Sequence, residues 1–300
     1  MTLPEIREQI DAVDAGIKKL FKERMLLADK VAQAKAETGD EIFKPDREIA
    51  IIENLTEDVD DSIKKEYTAL IKRIMEISRK YQYGRTLNLR DCLQVDYLTE
   101  MPQVKKVAMI KGERYIYDIV PDMTTCSVDI VSVDDHARMG ELVKSGEADA
   151  GIGIMESVSV SVSNEIHSLL AEYGFFINSC KVVFDSGIRK KVVMFTKDMV
   201  VLPEHNRMKF MFICHNRSGA LASILSMISD YGVNLTEIHS HPNHAEEWNY
   251  EFYAEIEANF LEQETKALIF QLMNETEKFV ILGSYRCEGD FVKFVSEPER

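Results

Sequence analysis

The chain has 300 residues, of which 45% are hydrophobic and 29% charged, and its formal net charge is −15. That length is enough for two or three domains with sizeable cores. The acidic balance disfavours nucleic acid and anionic membrane as partners, and no apolar run approaches the ~20 residues of a membrane helix. The first residues lack the cationic and apolar stretches of a signal peptide. Five dispersed cysteines without C-x-x-C spacing predict reduced thiols in a cytoplasmic protein, with neither a disulfide frame nor a zinc site. The charge is uneven: residues 1–90 hold 17 basic and 18 acidic side chains, the remainder 19 and 33. A small-anion site is therefore easier to build in the first segment.

In chain order, residues 5–36 predict one long helix. Ile6, Ile10, Val13, Ile17, Leu20, Leu27 and Val31 recur in steps of four and three, which marks a narrow apolar seam. Thr38-Gly39-Asp40 stops it. Pro45 suits the first position of a short second helix, with Asp46 and Glu48 at its positive end. Asp60-Asp61-Ser62 offers N-caps for a third helix with the stripe Ile63, Tyr67, Leu70, Ile74, Ile77, Tyr81. From about Val104 the pattern alternates. Strands are expected at Lys106–Ile110, Ser127–Val133, Ala150–Met155 and Lys191–Thr196, and helices at Asp135–Ser145 and Asn164–Tyr173, which is an α/β domain. Leu202–Asn206 reads as a linker. A βαββαβ unit follows: Met208–Cys214, Ala220–Tyr231, Leu235–Ser240, Tyr250–Ala258, Glu262–Asn274 and Val280–Tyr285. The expected fold is thus multi-domain, with an all-α unit over 1–90, a reduced α/β domain over 104–200 and an α+β unit over 206–290.

The sharpest chemical signal is polar residues on the helical seam. Four steps beyond Leu20 stands Arg24, and four beyond Val31 stands Lys35. A buried, unpaired cation costs several kcal/mol, so each needs an anion or a route to water. Three turns separate them, roughly 16 Å along one face, so two long side chains leaning together can hold a small anion. Ser78 and Gln82 line one face of the third helix, and Arg47-Glu48 opens the second. Arg7 is seventeen residues from Arg24, roughly 25 Å along the same helix. It reaches a ligand held by Arg24 and Lys35 only from the antiparallel helix of a second chain. The pattern asks for a homodimer with shared sites.

Residues 5–83 resemble the all-helical chorismate mutase family, in the form fused to prephenate dehydratase. The resemblance rests on Ile6-Arg7-Glu8, Glu23-Arg24, Ala34-Lys35-Ala36, Pro45-Asp46-Arg47-Glu48 and Ser78-x-x-x-Gln82. Lys44 stands where the family often has Asp. The resemblance implies chorismate as substrate, bound by Arg7, Arg24, Lys35, Arg47, Glu48, Ser78 and Gln82. Of these, Lys35, Gln82, Arg24 and Glu48 carry the chemistry: Arg7 and Arg24 clamp carboxylates, Lys35 and Gln82 face the ether oxygen, and Glu48 takes the ring hydroxyl. The reaction, chorismate to prephenate, is a unimolecular rearrangement that requires no cofactor and no metal.

Residues 104–200 resemble part of a prephenate dehydratase domain through Gly146-Glu147-Ala148-Asp149-Ala150-Gly151 and Asn164-Glu165. The family's catalytic motifs are replaced. Lys111-Gly112-Glu113-Arg114-Tyr115-Ile116 stands for its Gly-Pro-x-Gly-Thr-Phe loop, Glu156-Ser157-Val158 for Glu-Asn-Ser, and Val193-Met194-Phe195 for Thr-Arg-Phe. The stretch expected for a second lobe is absent between about Cys180 and Lys190. Dehydration needs a general acid and a cationic clamp, and the sequence displays neither, so a scaffold without dehydratase activity is expected. The Ser/Val alternation over 157–163 reads as a half-buried strand.

Residues 206–285 resemble an ACT regulatory domain through Ser218-Gly219-Ala220-Leu221, Gly232-Val233-Asn234-Leu235-Thr236 and Leu282-Gly283-Ser284-Tyr285. The family's Glu-Ser-Arg-Pro is altered to His239-Ser240-His241-Pro242. The resemblance implies an amino-acid effector, phenylalanine, at Gly219, Ala220, Leu221, Asn234, His239, Ser240 and His241. His239, His241 and His244 also raise a metal site, which the motif position explains better. Three readings stand open: a feedback-regulated mutase, a fully bifunctional mutase-dehydratase, and a non-catalytic sensor of an aromatic amino acid.

Overall fold

The computed structural model describes the chain apart from residues 113, 125, 158–163, 186, 187, 216, 243–249 and 289–300. The chain divides into two compact units, Met1–Gln94 with Lys266–Glu275, and Val95–Thr265 with the residues after 275.

The first unit is helical, as the periodicity predicts. Helix α1 spans Leu3–Thr38. The Thr2 N–H donates to Glu5 at 2.7 Å, and Gly39 ends the helix at φ +79°, its N–H bonded to the Lys35 carbonyl. Along α1 only Ala28 and Ala32 are buried, while every member of the predicted seam is exposed. Helix α2 (Pro45–Thr56) starts at Pro45 as expected. Helix α3 (Lys64–Leu89) begins one residue after Ile63, and Asp60 caps a turn ahead of it by accepting the Ser62 N–H at 2.8 Å. Its buried face is Met75, Ser78, Arg79, Gln82, Tyr83 and Thr86, whereas Ile63, Leu70 and Tyr81 of the predicted stripe are exposed. The face turned inward is mostly polar because it lines a cavity. Tyr83 meets Phe270, from the 266–275 segment, edge to face at 5.3 Å.

The second unit contains β1 (Lys106–Ile110), α4 (Arg114–Tyr117), α5 (Val120–Met123), β2 (Asp129–Val133), α6 (His136–Ser145), β3 (Ala150–Ser157) and α7 (Asn164–Tyr173). Then come β4 (Phe176–Asp185), β5 (Ile188–Thr196), β6 (Arg207–Ile213), α8 (Ala220–Asp230), β7 (Asn234–Pro242), β8 (Tyr250–Glu257), β9 (Lys278–Tyr285) and β10 (Cys287–Glu288), while α9 (Gln263–Glu275), between β8 and β9, belongs from Lys266 onward to the first unit. Strand β4 and the short α4 and α5 were not expected from the sequence; β4 forms an antiparallel hairpin with β5 across the place where a second lobe was sought. Of the Ser/Val alternation, residues 158–163 lie outside the described residues and Ser157 ends β3.

The α/β and βαββαβ segments, expected as separate modules, share one ten-stranded sheet ordered β2-β1-β3-β5-β4-β9-β6-β8-β7, with β10 beside β4. The join is the parallel contact Ile177↔Gly283. Gly283 sits at φ +149°, and a Cβ there would lie 2.3 Å from the Ile177 carbonyl oxygen, so only glycine lets the two strands meet. Side chains alternate across the sheet. Val193 and Phe195 enter one core with Met139, Ile166 and Leu170; Val192 and Met194 enter the other with Ile116 and Val120. Val193-Met194-Phe195, in the place of a Thr-Arg-Phe motif, is therefore fully buried packing.

Candidate functional site

In the helical unit, α1, α2 and α3 enclose a cavity of about 280 Å³. Six of the seven predicted substrate residues line it: Arg24 and Lys35 from α1, Arg47 and Glu48 from α2, Ser78 and Gln82 from α3. Arg7 does not; it lies exposed near the start of α1. Lys44 and Arg79 complete the polar wall, which makes five cations to one carboxylate. Arg24 donates to the Ile74 carbonyl at 3.3 Å and to Ser78 Oγ, which pins its guanidinium against α3. Lys35 Nζ donates to the Ile42 carbonyl at 2.9 Å. Gln82 Nε2 donates to the Ser78 carbonyl at 3.2 Å, and its Oε1 is buried without a hydrogen-bond partner among the described residues.

Electrostatics mark this as an anion site. Burial pulls the Arg24 guanidinium below its ordinary value, with Glu48 acting the other way. Burial also lowers Lys35, and Lys44 and Arg47 push it the same way against Asp40 and Glu48. A half-buried cation lowered by its cationic neighbours, as Lys35 is, is relieved by a bound anion.

Arg79 was missed by the sequence reading. It is 6% exposed, its Nη1 bonds Glu48 Oε1 at 2.5 Å, and its Nε bonds Glu275 Oε1 at 3.0 Å. A buried face stepping Met75, Ser78, Arg79, Gln82, Thr86 was the available signal, but the apolar stripe drew the eye to another side of the helix.

In the sheet unit, charged groups converge from five strands. Lys191 on β5 lies 2.5 Å from Glu255 on β8, 3.3 Å from Glu237 on β7 and 3.8 Å from Glu156 on β3. Lys209 on β6 pairs with Glu237, and Arg207 lies 3.1 Å from Glu257. The neighbouring cavity of about 360 Å³ is lined by Arg189, Lys191 and Arg207 together with Glu156, Glu237, Glu255 and Glu257. Burial and a hydrogen bond to Glu237 push the Glu156 carboxyl up to about 8, so it holds its proton at neutral pH. Glu237 faces Lys209 and Lys191, which outweigh its burial and hold it far below the carboxylate range. Donor atoms of Glu156, Glu237 and His239 lie within 4.8 Å of one another, yet the two lysine ammoniums already occupy the cationic role there. His244 lies outside the described residues.

Of the predicted effector residues, Gly219 (φ +82°), Ala220 and Leu221 form the start of α8, and Asn234, His239, Ser240 and His241 lie on β7 at the sheet edge. Asn234 donates to Glu257 at 3.1 Å. His239 is 2.9 Å from Glu237, and His241 packs against Tyr253 and His167. Burial and the nearby His239 lower His241.

Comparison with known proteins gives two family matches and several relatives. Residues 6–83 match the chorismate mutase type II family model and residues 210–272 match the ACT domain. A bifunctional chorismate mutase/prephenate dehydratase of Aquifex aeolicus is 22% identical over 94% of this chain and 97% of its own. That of Neisseria gonorrhoeae is 20% identical over 93% and 95%. Among solved structures, a prephenate dehydratase from Streptococcus mutans superposes with a TM-score of 0.51 at 18% identity, over 61% of this chain and 98% of that one. A protein described as a quorum-quenching acylase, GqqA, gives 0.53 at 19% identity, over 60% and 94%. One fold with two described activities shows architecture and leaves the chemistry to the site. No helix among the described residues is long and apolar enough to cross a membrane.

Proposed function

We propose that this chain, with its chorismate mutase type II segment, its dehydratase-like sheet and its ACT domain, converts chorismate to prephenate in the helical unit over residues 1–90. The observation that carries this reading is the cavity with five cations to one carboxylate, built from α1, α2 and α3. A pericyclic rearrangement needs no nucleophile. Its barrier falls when the chair-like conformer of a dianion is clamped and when charge growing on the ether oxygen meets fixed donors. Arg24 offers a planar fork for a carboxylate. Lys35 stands for the ether oxygen, and Glu48 for the ring hydroxyl. Gln82 joins Lys35 by swinging its amide nitrogen from the Ser78 carbonyl toward the ether oxygen.

The working form is a homodimer. The exposed seam from Ile6 to Val31 supplies the apolar face, and Arg7 reaches the cavity from the partner's antiparallel helix. The dehydratase-like segment, 104–200, acts as scaffold. In support, Val193-Met194-Phe195 is core packing, and the cations beside Glu156 are already paired with glutamates. The ACT segment, 206–290, binds phenylalanine between paired domains, in keeping with the open edge of β7.

One assay tests the set: chorismate is incubated with the protein while chorismate loss, prephenate and phenylpyruvate formed without acid treatment are followed. Prephenate accumulation is expected. Phenylpyruvate in the untreated sample establishes the bifunctional reading instead, and unchanged chorismate overturns the mutase. Calorimetry with phenylalanine and tyrosine tests the effector; no heat with either removes it.

A further inference from the structure

We propose that Arg79 is a positioning residue of the mutase site, keeping Glu48 off the substrate-binding cations, and that Glu275 fixes Arg79 in that role. This rests on the mutase reading above. Arg79 follows Ser78 on α3, so its side chain leaves the helix about 100° away from the hydroxyl. It is held on three sides. Nη1 reaches Glu48 Oε1 at 2.5 Å, Nε reaches Glu275 Oε1 at 3.0 Å, and the guanidinium lies 4.8 Å from the centre of the Phe43 ring. Gln271 Nε2 donates to the same Glu275 oxygen at 3.0 Å, so Glu275 is itself anchored. The Glu48 side chain retains 23% exposure and so keeps access to the cavity.

The need for such a device follows from the charges facing Glu48. These are Arg24 and Lys35 from α1, Lys44 and Arg47 at the start of α2, Arg79 from α3, and Glu275. A lone carboxylate among cations pairs with the nearest of them. Were that Arg24 or Lys35, Glu48 would occupy the groups that bind the substrate dianion. Arg79 offers a stronger alternative: burial alone would lower its guanidinium, and Glu275 and Glu48 together more than offset this. Because the ion pair to Glu275 is buried, the guanidinium cannot swing away to solvent without leaving a charge unpaired. Arg79 is a positioning residue that acts through Glu48.

The test uses the full-length chain and steady-state kinetics with chorismate for wild type, Arg79→Met, Arg79→Lys, Glu275→Gln, Glu48→Gln and the double variant Arg79→Met/Glu48→Gln. Arg79→Met is expected to raise KM about tenfold, by more than it lowers kcat, because Glu48 then competes for Arg24 and Lys35. Arg79→Lys restores most of the loss, and Glu275→Gln moves KM the same way by less. The double variant is expected to match the KM of Glu48→Gln alone, since no carboxylate remains to compete. Additive losses in the double variant, or an unchanged KM in Arg79→Met, overturn the proposal. If thermal melts show Arg79→Met unfolded, the comparison of Glu275→Gln with Glu275→Gln/Glu48→Gln decides in the same terms. A wild-type protein that leaves chorismate untouched fails at the earlier step, and is thereby told apart.

Discussion

Among the described residues, two clusters of charge stand out, and they differ in balance. In the helical cavity five cations meet one carboxylate. Around Lys191 and Lys209, the carboxylates of Glu237 on β7 and Glu255 on β8 match the two ammoniums, the protonated Glu156 of β3 lies beside them, and Tyr285 adds a hydroxyl donor to Glu255. An unbalanced cluster beside an open cavity is set to receive an anion. A balanced one, spread across strands, holds the strands in register and leaves little charge for a guest in the cavity beside it. The difference teaches that counting cations is uninformative until their partners are located.

The largest effect that could break this contrast is Lys35→Ala. It is expected to cost at least about a hundredfold in mutase kcat, the scale for a donor at a developing anion, with the melting temperature nearly unchanged. Near-normal turnover would remove Lys35 from the chemistry. A mixture of Arg7→Ala and Lys35→Ala chains sharpens the same point: heterodimers place both changes in one site and leave the other intact. Reassorted mixtures are then expected to regain activity in about a quarter of sites under two-fold symmetry, whereas sites confined to one chain regain none.

In the balanced cluster the signs reverse. Lys191→Met is expected to lower stability by about 3–5 kcal/mol, by leaving buried carboxylates uncompensated, while turnover per folded site is unchanged. Denaturant melts alongside chorismate loss read both. Gly283→Ala follows at about 1–3 kcal/mol, from the strained φ and the close approach of the Ile177 carbonyl.

The smallest effect is a pH slope. Glu156 is protonated in the folded state up to about 8, above its unfolded value near 4.5. The folded chain then binds one more proton than the unfolded chain between those values, so stability falls as pH rises through that window. His205 works the other way at lower pH: burial lowers it to about 4, so stability there rises with pH up to about 6.5. Glu237, held far lower, adds to the rise with pH below about 5, where the unfolded carboxyl takes up protons that the folded one does not. Between about pH 6.5 and 8 the Glu156 contribution is at most about 1.4 kcal/mol per pH unit, and the His241 imidazole, lowered by burial and by His239, adds an opposite slope near the bottom of that range. Melts of Glu156→Gln across that range are expected to be flatter than wild type, and parallel curves would refute the assignment.

Local pattern carried the helical unit. Pro45 stands at the start of α2 as expected, and six of the seven residues singled out by spacing and motif line one cavity. What escaped depends on pairing between distant segments. Arg79 meets its partners through Glu48 and Glu275, neither on its own helix. Lys209 lies in a strand buried along its whole length, Arg207–Ile213, where alternation would have sent it to solvent. Strand β4 went unseen because Asn178, Ser179 and Lys181 interrupt its apolar run, and Asn178 is satisfied from a distant stretch, by Thr196, the Asp198 carbonyl and the Val200 N–H. The join at Gly283 was legible as a motif but not as the place where two expected modules fuse into one sheet.

The bond between Arg79 and Glu275 spans 196 positions of chain. On a ribosome adding about 5–20 residues each second, some ten to forty seconds pass between the emergence of the two groups. Throughout that interval α1, α2 and α3 are already synthesised, but the guanidinium lacks its anchor. A nascent or prematurely terminated chain thus carries the helical cavity without this anchor, and synthesis of the segment around Glu275 supplies it.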